Sequence, residues 1–428
     1  MQIRRDYSEP FFGRPVGRRR RGRGRLRTIA LFMLAIGGFL WYVDANFQQL
    51  RLVALEAIGQ APPPTPFPSQ YATWGMEAFL QGNVVQASEY FARAVALQPN
   101  NVDYLYEYGR VLIERAVDNP QFYELAVEMG DRAINAAPSD PRGYALKALA
   151  LSFSGQPASA VPVGQAGLQV DRFFAPLHAA LSDAYRRIDR YDVALDSAER
   201  AIEIDPLDPL ARRIYAYALI WVGRREEAIE QLEQAVALNR NSTGPYFELA
   251  NMYRAQNELE LAVATYEQIL AMQPENARAY QRLCETYFQA SENTRAQVYC
   301  EEALAIQPDY ALAWASLGQT QYSRRNYEGA IQSFQNCIRF GGDNADIRCY
   351  YLRGLAHYYL GECEDAWNIL NDAVTRIQLA GGGGENNPVL NASLEGIRLI
   401  TVSCTGYAGR PLPTRIPPTP IPPTPIGG

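Results

Sequence analysis

The residues of this chain with the widest chemical reach are few. Six cysteines, Cys284, Cys300, Cys337, Cys349, Cys363 and Cys404, all fall beyond residue 280 of its 428 residues. There are two histidines, His178 and His357, and one lysine, Lys147. Thiols so placed could form disulfides, bind a metal or act as nucleophiles. No Cys-x-x-Cys or Cys/His cluster occurs, which argues against a zinc site. The run Gly381–Gly384 has no lysine beside it, so it lacks what a phosphate loop needs. His-Glu-x-x-His, Gly-x-Ser-x-Gly and Gly-x-Gly-x-x-Gly are all missing from the sequence. The chain reads as a non-enzyme, with no catalytic residue, no metal and no cofactor expected.

What would position side chains here is a periodic framework. Alanine recurs at Ala87, Ala126, Ala160, Ala194, Ala228, Ala262, Ala296, Ala330 and Ala366, with gaps of 39, then six of 34, then 36. A small residue follows seven later in most units: Ala94, Ala133, Gly167, Ala201, Ala235, Ala303, Cys337 and Ala373, with Ile269 the exception. Large residues stand four beyond the alanine, as at Phe91, Leu232, Tyr266, Phe334 and Leu370. Gly82, Gly155, Gly223 and Gly361 precede it by five, and Pro99, Pro138, Pro206, Pro274 and Pro308 close units. Two antiparallel helices approach closely only where their contact residues are small, and a proline cannot continue the second one. A 34-residue period therefore predicts tandem helical hairpins.

These positions resemble the tetratricopeptide repeat family. Trp314, Leu317, Gly318, Tyr327, Ala330 and Phe334 carry the fullest match, followed by Tyr71, Gly75, Gly82, Ala87, Phe91, Ala94 and Pro99. The resemblance implies an all-α, right-handed superhelical solenoid of about nine hairpins over 69–380. The second unit has a five-residue excess near Asp118–Phe122, and the third looks degenerate, with Pro162, Gly164 and Gly167 in its second helix. A glycine-rich link at 381–387 leads to a capping helix at 388–404. Leu390, Leu394, Ile397, Leu399 and Ile400 of that helix would cover the apolar end that a solenoid otherwise exposes.

The resemblance also implies which residues face a ligand, because the first helix of each unit lines the concave side. Arg186, Arg187, Arg213, Tyr217, Phe247, Asn251, Arg254, Arg278, Gln281, Arg282, Glu285 and Phe288 project there, joined later by Tyr322, Tyr351, Tyr358 and Tyr359. Arginines and rings suit an extended peptide that carries carboxylates. Arg278 and Arg282 resemble part of a carboxylate clamp, although Glu248 stands where such a clamp prefers asparagine. In the same geometry Cys284 faces Cys300, Cys337 faces Cys349 and Cys363 faces Cys404. The alternative is that these cysteines serve as small hydrophobes. His178 and His357 fall at packed positions and are read as structural.

The amino terminus is a different region. Thr28 to Val43 is uncharged and apolar. Ten arginines precede it against Asp6 and Glu9, so residues 1–27 carry +8 of a chain total of −6. That asymmetry predicts a transmembrane anchor helix at 28–47 with its amino terminus cytoplasmic and the repeats extracytoplasmic. Cleavage as a signal peptide near Ala45 is the alternative. A juxtamembrane helix at 48–60 and a proline-rich spacer at 61–68 follow, and a proline-rich tail of low complexity, 405–428, ends the chain. The basic leader is explained by topology, so nucleic acid is not an expected partner. The sequence thus reads as a membrane-anchored extracytoplasmic scaffold of bacterial type that binds a protein or peptide. The alternatives are a homo-oligomeric envelope protein or an accessory subunit of an envelope secretion or glycan-handling complex.

Overall fold

The computed structural model describes residues 36–38, 41–43, 46, 66–116, 119–382, 384 and 386–413. The chain divides into two units, Met1–Pro66 and Phe67–Gly428. In the first, residues 36–38 and 41–43 are helical, and Ile36, Trp41 and Tyr42 are exposed. Among the described residues no helix is long and apolar enough to cross a membrane. The expected leader (1–27), the juxtamembrane helix (48–60) and most of the expected span (28–47) lie outside the described residues.

The second unit is built from helical hairpins in chain order. They are α1 (Pro68–Leu80) with α2 (Val84–Leu97), α3 (Val102–Arg115) with α4 (Gln121–Ala136), and α5 (Pro141–Phe153) with α6 (Pro157–Val170). Next come α7 (Ala175–Arg187) with α8 (Tyr191–Ile204), α9 (Pro209–Trp221) with α10 (Arg225–Leu238), and α11 (Thr243–Ala255) with α12 (Leu259–Met272). The last three are α13 (Ala277–Gln289) with α14 (Asn293–Ile306), α15 (Ala311–Ser323) with α16 (Tyr327–Gly341), and α17 (Ile347–Tyr359) with α18 (Cys363–Leu379). A final helix, α19 (Pro388–Ser403), follows, and the described residues contain no strand.

Each periodic alanine sits where the second helix of its hairpin meets the first. All nine are at most 1% exposed, which is why nothing larger recurs there. Opposite Ala87 and Ala330 the first helix also thins to glycine. A Cβ on Gly75 would lie 2.8 Å from the Phe91 ring, and one on Gly318 would lie 2.6 Å from the Phe334 ring. The large residue of each hairpin thus fills the space that the small ones leave.

The turns follow one geometry regardless of residue type. Gly82, Gly155, Gly223 and Gly361 have φ of +80°, +85°, +83° and +79°. Asp189, Asn257, Ser291 and Arg325 take the same place in their own units with φ from 61° to 65°. The left-handed conformation at the end of the first helix is therefore imposed by the hairpin and tolerated by residues that dislike it. The prolines act one step later. Pro99, Pro138, Pro206, Pro274 and Pro308 lie just past the second helices, where they hold the preceding residue away from helical ψ.

The third unit is less degenerate than its sequence suggests. α6 runs unbroken through Pro162, and its glycines admit α7 closely: a Cβ on Gly164 would meet Leu181 at 2.7 Å. At the far end α19 buries Leu390, Ile397 and Ile400 against α17 and α18, while Leu394 and Leu399 are half-buried. Asn387 caps α19, its Oδ1 accepting from the Val389 and Leu390 amides.

Removing left-handed strain at one turn should stabilise the array. Arg325→Gly is expected to raise unfolding free energy by about 0.5–1 kcal/mol, and Gly361→Ala to lower it by about 1 kcal/mol, in chemical denaturation. Equal effects in both variants would mean that the turn does not impose this conformation.

Candidate functional site

The first helices of successive units lie side by side, so residues on them meet across units. The candidate groove residues are on these helices, but many of their charges are already answered from within. Asp183 on α7 is fully buried and accepts from Arg186 at 2.6 Å, from Arg187 at 2.7 Å and from Ser152 Oγ on α5 at 2.6 Å. Arg186 also lies over the Tyr217 ring and Arg187 over the Phe153 ring. These two arginines therefore brace units 3 to 5, and their guanidiniums are not spare.

Arg213 on α9 is engaged still further. Its Nη2 meets Glu248 on α11 at 2.6 Å, and its Nη1 reaches Glu114 on α3 at 3.3 Å. The Tyr217 hydroxyl also donates to Glu248. Burial alone would lower the Arg213 guanidinium, but Glu248, Tyr217 and Glu114 together outweigh it and push it up. Burial is also the chief cause that pushes the Tyr217 phenol well above its ordinary range.

Four further candidates face inward. Gln281 is fully buried, with its Nε2 donating to Ser316 Oγ at 3.0 Å, so it is not presented to a groove. Phe247 is 5% exposed. Asn251 Oδ1 accepts from the Tyr266 hydroxyl at 2.7 Å, and Phe288 is half-buried against the core of units 6 to 8. The groove offers fewer free polar groups than the register implies, because a repeat places acceptors as regularly as donors.

The carboxy-terminal half differs. Glu285 on α13 takes Arg254 of α11 and Arg282 of α13 at 2.8 Å each, and Arg348 of α17 lies 3.8 Å away. Burial would raise the Glu285 carboxyl, but Arg282 and Arg254 outweigh that and hold it below its ordinary value. Arg348 is also paired with Asp346 at 2.7 Å. Arg278, one turn before Arg282, stacks on Phe247 at 4.4 Å, and among the described residues no carboxylate lies within ion-pair distance of it. Three guanidiniums, of Arg254, Arg282 and Arg348, thus meet the two carboxylates of Glu285 and Asp346, a local positive excess on an acidic chain. Arg278 also borders an open cleft of about 830 Å³ with Gln273, Glu275, Asn276, Ile306 and Gln307, so one acid shares that cleft with it. Sequence reasoning missed Arg348, Asp183 and Glu114. The three- and four-residue spacing of Asp183 to Arg186 and Arg187 was the available signal for one of them.

The cysteines are joined as Cys284–Cys300, Cys337–Cys349 and Cys363–Cys404, with Cα separations of 5.2, 6.4 and 6.1 Å. His178 Nε2 lies 2.9 Å from the Arg172 carbonyl oxygen. His357 Nδ1 lies 2.5 Å from Glu362, and with Asp365 these atoms cluster within 4.8 Å. Both acids begin α18, where the positive end of a helix favours carboxylates, so the cluster is accounted for without a cation.

Comparison with known proteins points one way. Tetratricopeptide repeat models match residues 246–278 and residues 73–141, 179–243 and 282–345, together more than half of the chain. No curated protein sequence matches. The APC/C hetero-tetramer Cut9–Hcn1 is similar in fold, with a TM-score of 0.55 and 16% identity over 73% of this chain. The chain spans 59% of the length of that protein. MamA is similar over 39% of this chain and 96% of its own, at 21% identity and a TM-score of 0.35. YrrB, described as a TPR protein with an unusual peptide-binding site, is similar over 44% of this chain and 97% of its own, at 23% identity and a TM-score of 0.34.

Glu285 holds three guanidiniums together, so its loss leaves uncompensated positive charge. Glu285→Gln should cost about 2 kcal/mol at neutral pH in chemical denaturation. Because the folded carboxyl titrates lower than the unfolded one, its contribution is present above the ordinary carboxylate range and fades as pH falls through the folded value. The gap between wild type and variant should therefore narrow below about pH 4. A gap that widens in acid would show that the carboxylate is not held by these arginines.

Proposed function

The chain belongs to the tetratricopeptide repeat family, and from that premise we propose a membrane-anchored extracytoplasmic scaffold that holds a protein partner through an acidic segment. The family fold suits protein–protein interaction, and the array presents stacked first helices for it. The observation that carries the reading is the convergence of Arg254, Arg282 and Arg348 on Glu285 and Asp346, with Arg278 one turn before Arg282 and stacked on Phe247. Carboxylates entering there meet forked donors, with the Phe247–Arg278 stack and the adjoining cleft beside them. Units 3 to 5 contribute less, because Asp183, Glu114 and Glu248 already pair with their arginines.

The location rests on separate support. Ten arginines before Thr28 to Val43, and an acidic chain after it, fit an anchor with a cytoplasmic amino terminus. Three disulfides fit an oxidising exterior, since such bonds are rare where thiols are kept reduced. The exposed Trp41 and Tyr42 suit a membrane–water boundary.

Two measurements test this. Arg278→Glu with Arg282→Glu in the full chain, reconstituted in nanodiscs, should weaken capture of a glutamate-rich peptide by about tenfold or more in fluorescence anisotropy. Unchanged affinity removes the site. Protease added to intact cells should digest the repeats and spare an epitope placed before Arg4. Protection of the repeats would place them on the other side of the membrane.

A further inference from the structure

Arg213, Asn241 and Gly82 connect parts of the solenoid that are not neighbours in it. Arg213 bridges to Glu114 across 99 residues of chain, and Asn241 Nδ2 donates to the Leu80 carbonyl across 161, at 2.6 Å. The first contact joins α9 to α3, and the second joins the loop before α11 to the end of α1. Gly82 lies against the same loop. A Cβ there would be 2.4 Å from the Asn241 carbonyl oxygen, whereas one on Gly155, Gly223 or Gly361, at the same turn position, would meet nothing within 4 Å. Between these ties Phe79, Ile113 and Glu114 face Leu210, Arg213 and Pro245, and the space left is about 60 Å³. That holds a few waters and no peptide strand, whereas an open cleft of about 760 Å³ lined by Gly82, Glu114 and Asn241 lies to one side of the ties.

Solenoid stability comes from contacts between adjacent units, so ties across three or more units are additional to the fold and can break without unfolding it. We infer that this seam is a latch: closed, it ties units 1 and 2 to units 5 and 6 and leaves only the narrow gap between Phe79, Ile113, Leu210 and Pro245, and open, it widens that gap to an acidic partner already held at units 6 to 9. The gating half of the inference rests on the proposed carboxylate site, and the latch itself does not. A partner that binds only the open form must meet the cost of opening, so its apparent affinity is lowered by the fraction open. A variant that opens the seam removes that cost.

The test uses the full chain in nanodiscs, spin-labelled at Val85→Cys and Leu238→Cys. Both positions are exposed and flank the seam, and the native cysteines are already paired. Pulsed dipolar spectroscopy should give one narrow distance in the parent. Gly82→Ala and Glu114→Gln should each shift it to longer values, while Gly223→Ala, which has the same positive φ and open space around it, should not. Affinity for a glutamate-rich peptide should rise about threefold or more in Gly82→Ala and Glu114→Gln. If Gly82→Ala and Gly223→Ala give the parent distance alike, the latch is overturned. Opening without tighter binding overturns the gate. Loss of peptide binding in no Arg278/Arg282 variant overturns the carboxylate site instead, so the two failures are told apart.

Discussion

The closest approach of two helices, repeated nine times at an alanine, is the constraint on which the rest depends. With Ala87 and its eight counterparts almost fully enclosed, each hairpin has one permitted depth of packing. That depth sets where the large residue of the second helix goes, as Phe91 against Gly75 and Phe334 against Gly318 show. It also fixes the left-handed turn, which Arg325 and Ser291 adopt despite their side chains. Local preference yields to the hairpin here because the packing of two helices outweighs one unfavourable φ.

Charge is handled in the same regular way. First helices lie beside one another, so an arginine on one is within reach of a carboxylate on the same helix, the next or, through the superhelical seam, a distant one. Across units 2 to 6 Arg186, Arg187 and Arg213 are matched by Asp183, Glu248 and Glu114, and the arginines become braces. In units 6 to 9 the two signs do not balance, and guanidiniums outnumber the acids that hold them. The asymmetry of the array is therefore one of local charge stoichiometry on a uniform scaffold.

The hairpins were legible because their determinants are local and periodic: alanine spacing, glycine five residues before, proline just after. Four turns marked by glycine were readable in this way, and four others, at Asp189, Asn257, Ser291 and Arg325, share the conformation without the signal. The expected disruption at Pro162 did not break α6, since a helix packed on both sides keeps its course despite one missing donor. The candidate groove was legible only as a set of helix positions. Gln281 lies on the named helix yet turns inward to Ser316, and Arg213 is paired with Glu114, 99 residues away. Partners at that separation depend on superhelical curvature, which no local pattern encodes.

The covalent ties are confined to one end. Cys284–Cys300, Cys337–Cys349 and Cys363–Cys404 each staple neighbouring helices in units 7 to 9 and the cap, and units 1 to 6 have no such staple. Under tension between its termini the molecule would behave as a graded spring. Its early coils would pay out length while the riveted end kept its shape.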